Sequence, residues 1–502
     1  MSVRRPPFAL VTGALIVAAA LWSLGGLEPR DEAWFVQVTD RVGAGESLYR
    51  DVFYGATPLA VYLVLPFVWL FGAQVLWVKA LVVGCFAGSL LLLVSIGRRI
   101  GATSLELAAA GAALLVWAPP GRIALYQPLA TLFLLACLAA ALAWLDSGSV
   151  RTLALAGVMA GLAFASKQNV GALAAAALLA AVLVGGRSSR ARAAWIAATV
   201  FAGTVLVTLV PVLATGGLGK LWEYGFAAKD SYVERGNLSY LDGIDLQLDA
   251  IRTAGPGLAG RMSSVVHGYE LAAFVLVPLV LCALAFAWKR ARGVHRTRIA
   301  VIGAFAVAAT VAIFPRASMT HVGFVFPVFV VAGLSACKTL VPERRLRTAA
   351  VVLLVVLAPV LLARSVGQVV QLADGSKRFS DLPHARGVLV EPADEDEIAA
   401  AAAALDREQR PVFVVSIEAG ILYLASGIEN VTPFDYPWVT TFGRDGEERL
   451  AEDVERGRFG AVCVDFGGEP ALVPRRLAAA IEHSMTPAED LGVCRVYRRA
   501  PR

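Results

Sequence analysis

The stretch P-L-A-V-Y-L-V-L-P-F-V-W-L-F, Pro58 to Phe71, is apolar enough to lie in a membrane yet short for crossing one. A spanning helix takes about 20 apolar residues, whereas a run of about 10 to 14 suits an interfacial or re-entrant position. The reading of this stretch decides the fold, because counting it as a span would invert every loop that follows.

Working outward, eleven other apolar runs are candidate spans: 8–27, 74–97, 104–119, 124–145, 152–166, 169–186, 193–215, 270–288, 299–314, 320–340 and 347–363. Short cytoplasmic loops are enriched in Lys and Arg. With 58–71 placed in the interface, one side collects Arg4, Arg5, Arg98, Arg99, Arg151, Arg187, Arg190 and Arg192. The same side receives Lys289, Arg290, Arg292, Arg296, Arg298, Arg344, Arg345 and Arg347. The N-terminus is then cytoplasmic, and the loops 28–73 and 217–269 and the tail 364–502 are extracytoplasmic. Residues 8–27 show no A-x-A-like cleavage site, so this first run reads as a retained helix rather than a signal peptide.

Composition agrees with a polytopic membrane protein. Of the 502 residues, 58% are hydrophobic and 17% charged, and the mean hydropathy is +0.67. The net charge of +6 comes from basic clusters between apolar runs, a membrane pattern that leaves nucleic-acid binding without support. Four cysteines, Cys85, Cys137, Cys282 and Cys337, fall in apolar runs without metal-like spacing.

The chain divides into a transmembrane domain, 1–363, and a tail, 364–502, of different character. In the tail, short strand-like runs at 387–391, 411–416, 461–465 and 493–498 alternate with helical patterns at 394–408, 447–457 and 471–484. That alternation predicts a small α/β domain with a largely parallel sheet. Cys463 and Cys494 fall on its strands, as a disulfide or as two buried thiols. No internal repeat is found, which disfavours the transporter folds built from repeats.

Several polar residues fall on one predicted face. Asp31 and Glu32 follow the first helix in L-E-P-R-D-E-A-W-F, and Arg122 lies in A-P-P-G-R-I-A-L-Y-Q-P. Lys167, Gln168 and Asn169 interrupt F-A-S-K-Q-N-V-G, and Arg316 and His321 interrupt F-P-R-A-S-M-T-H-V-G. Each has an ordinary structural reading: a solvated acidic pair, a snorkelling Lys or Arg, a loop Arg, a hydrogen-bonded packing His. Their convergence on one face shifts the balance, because ionisable groups at membrane depth are costly and tend to face a cavity or pathway. A carboxylate can serve as general base to an acceptor hydroxyl, and cations opposite it can stabilise a departing phosphate. A membrane enzyme using a lipid-phosphate sugar needs both.

At these residues the sequence resembles the GT-C class of polyprenyl-phosphate-sugar-dependent glycosyltransferases, especially the bacterial relatives of protein O-mannosyltransferases and lipid A aminoarabinose transferases. The resemblance runs through D-E-A-W-F at 31, G-E-S-L-Y-R-D at 45–51, Y-G-A-T-P-L-A-V-Y-L and L-F-G at 70–72. It implies a helical membrane domain with outer juxtamembrane helices, among them 58–71, and a soluble C-terminal domain. It also implies Asp31 as catalytic base, Glu32 as its neighbour in substrate positioning, and Lys167, Arg316 and His321 as lipid-phosphate contacts. Gln168, Asn169 and Arg122 join this donor-binding set. The chain departs from the pattern at Gln127, where many relatives carry an acidic residue, and at Ala56-Thr57-Pro58-Leu59, where they carry Lys-Pro-Pro-Leu.

The expected function is therefore transfer of a sugar from a polyprenyl-phosphate donor to an extracytoplasmic glycan, lipid or protein acceptor, in the lipid bilayer of a bacterial plasma membrane. No cofactor is implied; metal independence is the expectation, with a divalent ion left open. A transporter or flippase of lipid-linked sugars is the alternative. An envelope scaffold displaying the tail is a third reading, and it leaves the polar residues of the membrane segments unexplained.

Overall fold

The computed structural model of the protein describes residues 8–121, 124–185, 189–227, 233–234, 236–255, 257–408, 411–436, 441–443, 445–465 and 474–499. The decisive stretch is a short helix, Leu59–Phe71. It ends at Gly72, whose φ of 77° is a left-handed conformation that glycine adopts without steric cost. Ala60, Val61, Val64, Leu65 and Val68 are buried along one face, while Leu63, Trp69, Leu70 and Phe71 are exposed. An apolar face turned outward together with an apolar face turned inward suits a helix lying against a bilayer and against protein at once. It packs on the Trp34–Gly43 helix, and Trp69 Nε1 donates to the Gly43 carbonyl at 3.2 Å.

Each of the eleven apolar runs is helical. Among the described residues, seven helices are long and apolar enough to cross a membrane: Val75–Arg99, Tyr126–Ser147, Arg190–Ala214, Ser263–Arg290 within Gly257–Arg290, Gly293–Ala312, Met319–Leu340 and Glu343–Ala373. The others, Phe8–Leu24, Ser104–Trp117, Val150–Ser166 and Gln168–Val184, have 14 to 17 residues and fall short of that length. Two of the seven outrun the apolar patterns that predicted them: Gly257–Arg290 begins at 257 rather than 270, and Glu343–Ala373 continues past residue 363. Outward-facing positions such as Leu91, Trp195, Val207, Leu279 and Val355 remain exposed, as side chains meeting lipid tails do.

The two ends of the bundle differ. At one, Asp146 binds Arg99 at 3.1 Å and Arg298 at 2.6 Å, bringing three of the predicted basic-side loops together. At the other, the segments 28–73 and 217–227 and the tail share one core, in which Phe53 meets both Tyr224 and Phe434. Arg41 is the main polar tether there. It binds Glu46 at 2.6 Å and the fully buried Asp435 of the tail at 3.0 Å, and Asn430 also donates to Asp435 at 2.9 Å.

The tail carries a small sheet with the order β3(Val412–Val415), β4(Ala461–Val464), β6(Arg495–Arg498), β5(Thr486–Asp490). Only β3 and β4 are parallel; β4–β6 and β5–β6 are antiparallel, so the sheet is mixed rather than largely parallel. The cause is β5, T-P-A-E-D, an exposed edge strand whose proline and charges hide it from hydrophobic patterning. It folds back on β6 as a hairpin. The 387–391 run also leaves this sheet: β2(Leu389–Val390) pairs with β1(Arg378–Phe379) as a separate ribbon. Cys463 and Cys494 are joined as a disulfide across neighbouring strands, with Cα atoms 5.6 Å apart. The Ala419–Ser426 helix packs on the Trp34–Gly43 helix, and at Gly420 the two segments meet at backbone distance. A Cβ there would stand 2.6 Å from the Trp34 nitrogen.

Candidate active site

Pro29–Ala33 forms one wide helical turn between the first helix and Trp34–Gly43. Pro29 suits its first position because the missing N–H would have no helical partner there. The turn separates the acidic pair. Glu32 is 0% exposed and receives Lys79 Nζ at 2.8 and 2.9 Å on its two oxygens. Lys79, 1% exposed in the Val75–Arg99 helix, also donates to the Gly26 carbonyl at 3.0 Å. The Glu28 N–H donates to Glu32 at 3.2 Å. Glu32 is thus a committed anchor, and burial raises its carboxyl above the ordinary value although Lys79 opposes the rise.

Asp31 is half-buried. Desolvation, reinforced by Glu28 and Glu32, pushes its carboxyl up to about 7, with Lys167 and Arg30 pulling the other way. Lys167 therefore acts electrostatically on Asp31 although well over a hundred residues separate them in sequence.

Lys167 stands in an extended conformation between the Val150–Ser166 and Gln168–Val184 helices, so its side chain leaves the helical ladder. Its ammonium lies 4.3 Å from the Phe324 ring centre and 5.8 Å from that of Tyr126. Gln168 is structural in part: its amide nitrogen donates to Gly225 at 2.8 Å and Gly55 at 3.3 Å, tying both outer loops to this helix break. Nearby, Thr57 Oγ1 donates to the Phe164 carbonyl. Asn169 is exposed and accepts from the Val170 N–H at 2.9 Å.

Arg316 is held by its backbone. Leu238 donates to the Pro315 carbonyl at 3.1 Å and accepts from Ala317 at 2.9 Å, a clamp between the outer loop and the F-P-R-A-S motif. His321 opens the Met319–Leu340 helix, with Nδ1 2.9 Å from Ser318 Oγ and the ring against Phe324. Lys167 and Arg316 both act electrostatically on His321, which joins the three into one group. Arg122 lies outside the described residues.

Beside this group a cavity of about 300 Å³ runs between helices, lined by Val82, Phe86, Leu114, Met319, Phe324 and Pro327 among others. Phe324 belongs both to its wall and to the Lys167 contact. The cavity is a mostly apolar slot, joined to the cationic cluster through Phe324. Among the described residues no three His, Cys, Asp or Glu side chains gather as a metal-binding group.

Sequence reasoning passed over Lys79, although a lone cation inside the apolar run 74–97 is itself a signal. It also passed over the aromatic shell beside Asp31. Trp34 stacks on Tyr54 with ring centres 5.7 Å apart, and Tyr54 meets Tyr126 edge-on at 6.2 Å.

No family model and no curated protein matches the sequence. Solved structures do match. The chain aligns over 98% of its length, and 99% of the other's, with ArnT from Cupriavidus metallidurans bound to undecaprenyl phosphate, at a TM-score of 0.62 and 14% identity. The chain has the GT-C fold. The arabinofuranosyltransferase AftD from Mycobacteria aligns with 99% of this chain and 40% of its own, at a TM-score of 0.53 and 14% identity. The archaeal oligosaccharyltransferase AglB from Archaeoglobus fulgidus, in complex with an inhibitory peptide and a dolichol-phosphate, aligns with 98% of this chain and 74% of its own, at 0.51 and 11%. In GT-C terms, the short Leu59–Phe71 helix and the sheet-bearing tail are the parts the sequence resemblance implied.

Proposed function

We propose that the protein is an integral-membrane glycosyltransferase that moves a sugar from a polyprenyl-phosphate donor to an extracytoplasmic acceptor, with Asp31 as general base. The observation that carries the reading is a carboxyl, Asp31, acting electrostatically with Lys167, whose ammonium lies 4.3 Å from the ring centre of Phe324, a wall of the apolar slot. The slot has the character of a lipid-tail site, and Lys167, Arg316 and His321, linked to it through Phe324, suit a phosphate headgroup. A base works best with a pKa near the operating pH, which a carboxyl at about 7 meets. The acceptor hydroxyl gives its proton to Asp31 as its oxygen bonds to the anomeric carbon. The bond from that carbon to the phosphate oxygen breaks, the phosphate keeps the electron pair, and the cations meet its growing charge. Glu32, locked by Lys79, holds the turn that aims Asp31 and thereby serves substrate positioning. Gln168 and Asn169 flank the phosphate site, and Arg122 completes the donor set.

ArnT was solved with undecaprenyl phosphate and AglB with a dolichol-phosphate, which supports a polyprenyl-phosphate donor for a chain of this fold. The disulfide supports an oxidising, extracytoplasmic setting for the tail, and with it a cytoplasmic N-terminus in a bacterial plasma membrane. A polar cleft of about 280 Å³ lined by Lys220, Trp222, Glu223, Asp445 and Arg449 opens between the outer loop and the tail. Trp222 is 64% exposed there, and Gly225 in the same segment bonds Gln168, so this cleft suits the incoming acceptor.

The test is mass spectrometry of lipid-linked sugars and envelope glycans in a deletion strain complemented with wild type or Asp31→Asn. The expected result is that one polyprenyl-phosphate sugar accumulates, its glycan counterpart disappears, and only wild type restores both. Full restoration by Asp31→Asn would overturn the transferase reading in favour of the flippase alternative.

A further inference from the structure

Among the described residues, five buried side-chain nitrogen or oxygen atoms have no hydrogen-bond partner, and four of them lie on one connected group beside Asp31: Trp34 Nε1, Tyr54 OH, Gln127 Oε1 and Gln168 Oε1. Trp34 stacks on Tyr54, Tyr54 meets Tyr126, and Gln127 donates to the Tyr126 hydroxyl at 3.5 Å. Gln168 donates to Gly55, the residue after Tyr54. Trp34, Tyr54 and Gln127 are 8%, 0% and 4% exposed. Buried polar atoms are almost always paired, and each exception calls for a partner that is missing. Four such exceptions linked in this way run against packing alone, because each costs the desolvation of its group.

The set comprises one indole N–H, one phenol hydroxyl and two amide oxygens, and it carries no charge. At Gln168 the amide orientation is fixed by two carbonyl acceptors on its nitrogen. At Gln127 exchanging oxygen and nitrogen would only leave the nitrogen unpaired instead. We infer that these four groups form the recognition surface for the transferred sugar, and that this sugar is neutral, read through its hydroxyls. A sugar hydroxyl both donates and accepts, so it satisfies either kind of orphan. The four groups themselves hold no charge to pair with the ammonium of an amino sugar: position 127 offers an amide, and Glu32 next to Asp31 is committed to Lys79. An anionic sugar would set its charge against Asp31 and Glu28.

The inference rests on the proposed function and is tested so that the two fail separately. The full-length protein in lipid nanodiscs is titrated with undecaprenyl phosphate alone and with undecaprenyl-phosphate glucose, glucosamine and glucuronic acid. The expected result is that the glucose form binds about tenfold or more tightly than bare undecaprenyl phosphate, the worth of one buried hydrogen bond or more, and more tightly than both charged forms. Tyr54→Phe lowers that advantage while bare undecaprenyl phosphate binds as before, and Gln127→Glu moves the preference toward glucosamine. Should Tyr54→Phe disturb folding, the opposite-signed expectation for Gln127→Glu keeps the question decidable. If bare undecaprenyl phosphate binds and glucose adds nothing, or a charged sugar binds best, buried water fills these sites and the inference falls while the proposed function stands. If bare undecaprenyl phosphate fails to bind, both fall.

Discussion

Lys79 places its ammonium 2.8 and 2.9 Å from the two carboxylate oxygens of Glu32, with both side chains sealed from solvent. Asp31, one residue earlier, has no such ion pair among the described residues. A pair of carboxylates that sequence leaves equivalent is thus divided into an anchor and a titratable group.

The anchor is tested by breaking it. Lys79→Met leaves Glu32 charged and buried without its counter-ion, an error worth about 3–5 kcal/mol. Thermal unfolding in detergent is expected to fall sharply for Lys79→Met and to recover substantially when Glu32→Gln is added.

The pH profile tests the other half. Only ionised Asp31 can accept a proton, and its carboxyl, lifted to about 7, stays protonated below that pH. Transfer measured as kcat/KM is therefore expected to rise tenfold per pH unit up to about pH 7 and to level off above it. Asp31→Asn should be pH-independent there and lower by about 10²–10⁴-fold. A bend near pH 4 instead would mean that Asp31 ionises like a solvated carboxylate.

Lys167→Ala is expected to weaken binding of undecaprenyl phosphate by about 10- to 100-fold, the range for hydrogen bonds to charged groups. Isothermal titration in nanodiscs reads this directly. Arg456→Ala, at an exposed position of the tail where it pairs with Glu452, should change it little.

Much of this was legible in the sequence because membrane physics is harsh on it. Each apolar run marks a helix, seven of them among the described residues long enough to span, and the helix within Pro58–Phe71 is short and half-buried. Lys167 acts electrostatically on both Asp31 and His321, and Arg316 acts on His321 as well. What escaped depends on three-dimensional partners. Glu32 differs from Asp31 only through Lys79 on another helix, and Trp34 and Tyr54 look like ordinary core aromatics until their polar atoms are seen without partners. Thr486–Asp490 escaped because an exposed edge strand carries no alternating apolar signal.

The disulfide between Cys463 and Cys494 closes a loop with a sequence separation of 31 across the tail sheet. Cys463→Ser with Cys494→Ser should cost about 2–5 kcal/mol of tail stability. Limited proteolysis of the tail is the measurement, with the membrane helices expected to stay intact.

Gly420→Ala should destabilise by about 1–3 kcal/mol, since the added methyl meets the Ala33–Trp34 backbone rather than a yielding side chain. That contact reaches beyond stability. Tails grafted from proteins of the same fold would have to bring a bare backbone to this one point, directly behind the turn that carries Asp31. The outer unit is therefore not an interchangeable module: a transplanted tail that misses this fit would tilt the carboxylate, and chimeras should lose turnover before they lose their ability to insert.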